Sequence, residues 1–223
     1  YCDDGAATFT NFAMSGIDKV HFGLEAAVSI PIYHTLALNG AVSWGQYTYD
    51  SNPYYLQTQD NSGDIVSDGY VYWKDFRVES TPQTAVNVGL SWRSNNNIYL
   101  SADFNYYNNM YLSMSPIYRT DAVITGGMAP GDIEHLRRQE KFDSAYTLNA
   151  SIGKNWYIHR KYTLGFSLDV KNILNNQDIK TGGYEQTRLS KNTETTVTTY
   201  QAFDSKYFYM FGTTYYLNLY FRF

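Results

Sequence analysis

At 223 residues the chain is long enough for one large domain or two small ones, and it opens at Tyr1 with neither a methionine nor a secretory leader, which predicts a segment of a longer protein or a processed product. A formal charge of −4 gives no general attraction for nucleic acid, and the single cysteine, Cys2, excludes an intrachain disulfide framework and a cysteine-based zinc site. Mean hydropathy is polar at −0.43 although 17% of residues are aromatic; no apolar run nears the ~18 residues of a spanning helix, whereas a barrel strand needs only one apolar face.

Cys2 lies in a stretch that reads as loop. Beyond it, alternation with period two recurs. Val20, Phe22, Leu24, Ala26, Val28 and Ile30 share one face, with His21, Gly23, Glu25, Ala27 and Ser29 opposite. After the turn PIYHT, Leu36, Leu38, Val42 and Trp44 continue the pattern, followed by Val86, Val88, Leu90 and Trp92. Past SNNN come Ile98, Leu100, Ala102, Phe104 and Tyr106, alternating with Tyr99, Ser101, Asp103 and Asn105. Tyr146, Leu148, Ala150, Ile152 and Trp156 form the fifth series. Tyr162, Leu164, Phe166, Leu168 and Val170 form the sixth, opposite Asp169 and Lys171. The seventh runs from Tyr209 to the last residue and carries Leu217, Leu219, Phe221 and Phe223 on one side.

Connections alternate too. Short ones fall near 32–35, 93–97 and 158–161, and long ones near 50–80, 112–142 and 176–204. Strands joined by tight turns are antiparallel, so short turns gather at one end of the sheet and long loops at the other. No domain boundary interrupts this meander. Residues 69–79, GYVYWKDFRVE, read as a strand extension or small hairpin outside the main sheet, and 131–143, GDIEHLRRQEKFD, without an apolar face, as a solvated segment in preference to a short surface helix.

A soluble sandwich also has one apolar face, turned inward. Three features favour a membrane barrel wall. The alternating segments span about 12–17 residues, beyond the globular mode of 5–6. Trp44, Trp92 and Trp156 all lie on the apolar face near strand ends, where an indole gains from an apolar ring environment and a wet N–H. The opposite face is rich in small and polar residues and in charge, with Glu25, Asp103, Asp169, Lys171 and Arg222, as a watery lumen requires. The expected fold is an all-β, antiparallel up-and-down transmembrane barrel wall with short periplasmic turns and long extracellular loops. Alone it exposes two sheet edges and an apolar surface, so a stable soluble monomer is not expected.

TPQTAVNVGLSWRS (81–94), NYYNNMYLSMSPIYRTDAV (105–123), DVKNILNNQDIKTGGYEQTR (169–188) and KYFYMFGTTYYLNLYFRF (206–223) together resemble the C-terminal part of TonB-dependent outer-membrane receptors. The resemblance is nearest to SusC-like receptors that carry a carboxypeptidase-regulatory-like domain, and it extends from about residue 16 onward. It implies a barrel of about 22 strands, of which these seven are the last third, in the outer membrane of a Gram-negative cell. It also implies a plug and a TonB-contacting segment that this sequence lacks, nutrient import with TonB-supplied energy, and a partner surface lipoprotein in SusC-like systems. Leu217, Leu219, Phe221 and Phe223 resemble the terminal signal read by the barrel-assembly machinery. Other partners so implied are outer-membrane lipid and a small-molecule, oligosaccharide or peptide cargo.

No catalytic, phosphate-loop or zinc motif occurs, which predicts no enzyme activity and no cofactor. His21, His34, His135 and His159 are scattered, giving no metal-site pattern. Asp60, Asp64 and Asp68 share one loop whose oxygen ligands suit calcium, although the spacing is not that of an EF-hand and a solvated acidic loop is the plainer reading. Tyr54, Tyr55, Tyr70, Tyr72 and Trp73 are the candidate ligand contacts, able to stack on a sugar or grip a peptide, against the alternative that they pack the loops together. Glu25, Asp103 and Asp169 are the candidate lumen residues, facing a plug, a substrate or simply water. Glu185 and Arg188 are candidates for fixing the loop at TGGYEQTR. Two rival functions remain: a passive pore in a small complete barrel, and a soluble all-β module binding ligand with its aromatic loops.

Overall fold

A computed structural model describes residues 2–3, 6–7, 9–126, 130–159, 161–187, 189–192 and 199–223. Seven strands form one antiparallel sheet: β1 (Lys19–Tyr33), β2 (Leu36–Tyr49), β3 (Thr84–Arg93), β4 (Ile98–Asn108), β5 (Ala145–Ile158), β6 (Tyr162–Lys171) and β7 (Thr214–Arg222). Spatial order follows chain order, so β1 and β7 are the edges of an open meander, and the fold is all-β with antiparallel sheets. Short connections follow β1, β3 and β5; long ones follow β2, β4 and β6.

The register matches apolar to apolar across every strand pair. Leu24 opposes Trp44, Leu38 opposes Leu90, Val88 opposes Phe104, Leu148 opposes Phe104, Ile152 opposes Leu168, and Phe166 opposes Leu219. A one-residue slip of any strand would send its whole apolar set to the polar side. Among the described residues, no second layer covers this face. Val28 is 56%, Leu90 46% and Leu219 70% exposed, and Leu217, Phe221 and Phe223 are exposed beside them. Lys154 falls in the same phase, opposite Phe166, and folds its Nζ over the Trp156 ring at 5.2 Å, near the short-turn end.

On the other face, polar side chains are joined across strands. Ser29 donates to Asn39 (2.8 Å), which donates to Ser91 (3.2 Å). Asn87 donates to Asn105 (2.9 Å), which donates to Thr147 (3.4 Å), and the Ser101 and Ser151 hydroxyls meet at 2.8 Å. Tyrosines lie over glycines of the neighbouring strand: Tyr99 over Gly153, and Tyr220 over Gly165 with its hydroxyl donating to Asn155. Such pairs pin the register where a Cβ would collide with the ring.

The core sits in the long connections. One cluster joins Tyr49, Tyr55, Val71, Trp73 and Met114; a second joins Met110, Leu112, Phe142, Ala145 and Ile179; a third joins Tyr118, Val123 and Leu136. The wall strands contribute to it at their long-loop ends, through Tyr49, Tyr107 and Ala145.

Several local expectations are corrected. The wall strands have 9 to 15 residues rather than 12–17, β7 being the shortest. The seventh run is broken. Lys206–Tyr209 pairs with Lys180–Tyr184 in an outer ribbon, and the wall strand starts only at Thr214. Asn172 and Asn175, both with positive φ, hold the break. Asn172 donates to the Phe211 carbonyl (3.0 Å), and Asn175 accepts from the Thr213 N–H (3.1 Å). Cys2 belongs to a two-residue ladder, Cys2–Asp3 with Ala6–Ala7, rather than a loop. The extra hairpin pairs Tyr54–Gln59 with Ile65–Tyr70 and takes Thr10–Ser15 as a third strand, while 75–78 runs along the end of β2 as a strand extension, with Arg77 bridging Thr48. Finally, the first half of the charged segment takes the less favoured helical reading: after α1 (Asp121–Thr125), α2 (Pro130–Arg137) covers 131–137, and 138–143 is not helical. Ile133 and Leu136 supply the small apolar face that the charges obscure, and Glu134 pairs with Arg138 at i,i+4 (2.5 Å).

Gly165→Val places a branched side chain in the volume of the Tyr220 ring, an overpacking expected to cost about 1–3 kcal/mol. Thermal unfolding should fall for Gly165→Val and recover partly when Tyr220→Ala is added; unchanged melting of the single variant would refute the tyrosine-over-glycine packing.

Candidate functional site

The outer hairpin sorts the candidate aromatics by strand parity. Tyr55 points inward, stacked on Phe12 at 5.2 Å and 1% exposed, and Trp73 is 7% exposed against Tyr49 at 4.7 Å. Neither can meet a ligand, so for these two the packing alternative holds. Tyr54, Tyr70 and Tyr72 are exposed. Tyr54 and Tyr70, directly opposed in the hairpin, meet edge to face at 5.7 Å. The Tyr54 hydroxyl donates to Asp68, and the Tyr70 N–H donates to Asp121 (2.7 Å). A hydrogen bond to the Asp121 carboxylate, helped by its charge, raises the Tyr72 phenol above its ordinary pKa.

Three polar clasps lock the long connections together. Gln139 exchanges two hydrogen bonds with the Arg77 backbone, at 2.7 and 2.8 Å, joining the first connection to the second. Glu140 accepts from Lys180 (3.2 Å) and from the Tyr207 hydroxyl (2.8 Å), with Lys180 Nζ 3.7 Å from the Tyr207 ring centroid, joining the second to the third. Burial, followed by the hydrogen bond and charge of Glu140, raises the Tyr207 phenol.

Arg119 makes the third clasp. It ends a short 3₁₀ turn, Ile117–Arg119, and is followed by Thr120, which caps α1 by accepting from the Val123 N–H. The side chain is 2% exposed. Nε donates to the Leu136 carbonyl (3.1 Å) and Nη1 to the Ser115 carbonyl (3.0 Å). Nη1 and Nη2 grip the two oxygens of Glu185 at 2.5 and 2.9 Å. Glu185 also accepts from the Ser115 N–H (2.8 Å), while the Arg119 carbonyl accepts from the Tyr72 N–H (2.9 Å). One residue thereby touches all three long connections. Glu185 does fix its loop, but through Arg119, a partner that the sequence does not single out; Arg188 lies outside the described residues.

Two concavities result. A cavity of about 470 Å³ opens between residues 72–76 and the helices, lined by Tyr72, Lys74, Asp75, Phe76, Arg119 and Arg137 over Ile124, Ile133 and Leu136. On the polar face of the sheet, a groove of about 510 Å³ runs past Glu25, Ser43, Asn87, Asn105 and Tyr107. Glu25, Asp103 and Asp169 all lie on that face: Glu25 accepts from Ser43 (3.4 Å), Asp103 covers Gly89, and Asp169 opposes Tyr216 and Ser151. They are spread over three strands and do not form one site.

Asp60 accepts from Asn11 (3.0 Å) and Asp68 from Tyr54, so these loop acids face different neighbours. Among the described residues, no three of His, Cys, Asp and Glu converge as metal ligands. Comparison with protein-family models, with curated proteins and with solved structures gives no match to this chain.

Removing one partner of the buried Arg119–Glu185 pair strands the other charge, at a cost of about 3–5 kcal/mol. Glu185→Ala should therefore open the three connections to limited proteolysis while the sheet stays protected, and Arg119→Lys, made separately, should open them too because the bidentate fork is lost. Wild-type protease resistance in Glu185→Ala would contradict the clasp.

Proposed function

We propose that this sheet is part of the wall of an outer-membrane β-barrel, with its apolar face against acyl chains and its polar face toward a water-filled lumen. The observation that carries this reading is the uncovered apolar face with its tryptophans. Trp44 opposes Thr84, the first residue of β3, and Trp92 lies near the other end of that strand. Eight residues separate the two levels, about 26 Å along a strand at ~3.3 Å per residue and roughly 20 Å after a tilt of ~40°, close to the ~25 Å apolar band of such barrels. Beyond Trp44 the outward positions of β2 become Gln46 and Thr48, opposite Phe22 and Val20. Trp156 and Lys154 mark the short-turn rim, where an amphipathic ring and a snorkelling amine belong.

The complete protein then imports a nutrient across the outer membrane through a plug-gated barrel energised by TonB. That step rests on the resemblance of the stretches 81–94, 105–123, 169–188 and 206–223 to TonB-dependent receptors. The cross-linked long connections support it by giving the outer end a shaped, rigid platform rather than loose loops. Polar ladders on the opposite face suit a hydrated passage. Leu217, Leu219, Phe221 and Phe223, all outward on the edge strand, suit recognition by an assembly machinery.

Two adjacent residues test the orientation. In the complete protein, Val42→Arg should reduce folded, membrane-inserted protein by about 2–4 kcal/mol, while Ala41→Arg, aimed into the polar groove, should be tolerated. Equal tolerance of both, with the protein recovered in a soluble fraction, would overturn the proposal.

A further inference from the structure

We infer that the cavity between residues 72–76 and the two helices is a binding site for small organic monoanions: a carboxylate joined to an aromatic or branched apolar body. The inference rests on the proposal that the long connections bind solute, and it names the class that they take.

The charge balance selects an anion. The chain carries −4 overall, yet this cavity is lined by Lys74, Arg119 and Arg137 against one carboxylate, Asp75. Among the described residues Lys74 is engaged by Asp50 alone, at 3.9 Å with both side chains more than half exposed, a pair too weak to hold it from a competing carboxylate. Arg137 has no acidic partner among the described residues and stands at the exposed end of α2. Arg119 spends four of its five N–H groups on Glu185 and two carbonyls, leaving one Nη2 N–H without an acceptor among the described residues.

The same count sets the ligand's charge. Glu185 neutralises Arg119 from behind, Asp50 meets Lys74 only weakly and Asp75 lies in the lining, so Arg137 is the lining cation left without an acidic partner among the described residues, and the site suits no more than one negative charge. A dianion such as a phosphate monoester would face the Asp75 carboxylate with too little compensation. The described lining reaches α1 at Ile124, whose N–H is already bonded to the Thr120 carbonyl, and α2 at Ile133, Leu136 and Arg137, so the helices present mainly apolar side chains to the cavity. Phe76, Ile124, Ile133 and Leu136 then provide the surface for an apolar body, and Phe76 is itself held under the Arg119 guanidinium at 5.2 Å. A volume of about 470 Å³ suits a small molecule rather than a folded partner. The Tyr72 hydroxyl, fixed by Asp121, lies at the rim and leaves its ring free for contact.

The test measures binding of phenylacetate, 4-phenylbutyrate and octanoate, together with the matching amides and amines, to the complete protein in lipid nanodiscs by ligand-detected NMR. At least one acid should bind, with its amide and amine weaker by about tenfold or more. The double variant K74A/R137A should weaken the acid by a similar factor while its loops keep their protease resistance. Binding of none of the three acids, amides that bind as well as their acids, or undiminished binding by K74A/R137A would each overturn the inference. Binding needs no energised membrane, so its outcome is separate from transport. Acid-selective binding by a protein that imports no solute would sink the transporter reading and keep the site; import without any acid binding would sink the site alone.

Discussion

An apolar face contributed by all seven strands has no protein layer against it among the described residues, and the rest of the molecule is arranged around that constraint. In water such a face would be covered by a second sheet or by helices, because apolar area left wet forfeits roughly 25 cal/mol per Å². Here the side chains that would ordinarily build the centre of a β-domain are the exposed ones, Phe22, Leu24, Leu90 and Leu219 among them. The sheet keeps its register without a core by other means: continuous ladders, apolar cross-strand pairs on one side, and amide and hydroxyl chains with tyrosine-covered glycines on the other.

The packing density missing from the sheet is concentrated at one end. Three small clusters and three polar clasps turn three long connections into a single body, with Arg119 at the point where they meet. A buried ion pair is weak evidence for stability in itself, since its desolvation offsets much of its attraction. Its value lies in specificity: the fork and the two carbonyls fix where residues 72, 115, 136 and 185 stand relative to one another. The cavity beside Arg119 owes its shape to that fixing, and a looser set of loops would have no defined volume to offer a solute.

Local regularities were legible in the sequence and long-range pairings were not. Each wall strand announced itself because the pleat forces alternate residues to opposite faces, whatever lies beyond. The phase of the outer hairpin could not be read. Tyr54 and Tyr55 are chemically the same, and only the third strand at Thr10–Ser15 and the cluster under it decide that Tyr55 turns in. Arg119 and Glu185 are separated by 66 residues, with no local pattern linking them. In α2 the charges dominate the composition and only Ile133 and Leu136 mark the buried side. The interruption before β7 is set by Asn172 and Asn175 reaching back from the start of the same connection, which alternation from Tyr209 to Phe223 gives no means to foresee. Lys154 sits in an apolar phase and is explained only by its place at the rim beside Trp156.

Tryptophan fluorescence tests the central claim most directly, because the four indoles divide between environments: Trp44, Trp92 and Trp156 on the apolar face, Trp73 in the loop core. Single-tryptophan variants of the complete protein would be placed in bilayers whose acyl chains carry bromine either near the headgroups or near the bilayer centre. The account predicts strong quenching of the three face tryptophans, greatest with bromine near the headgroups, and little quenching of Trp73. Face tryptophans quenched no more than Trp73 would mean that acyl chains do not touch this surface, and the membrane orientation would be wrong.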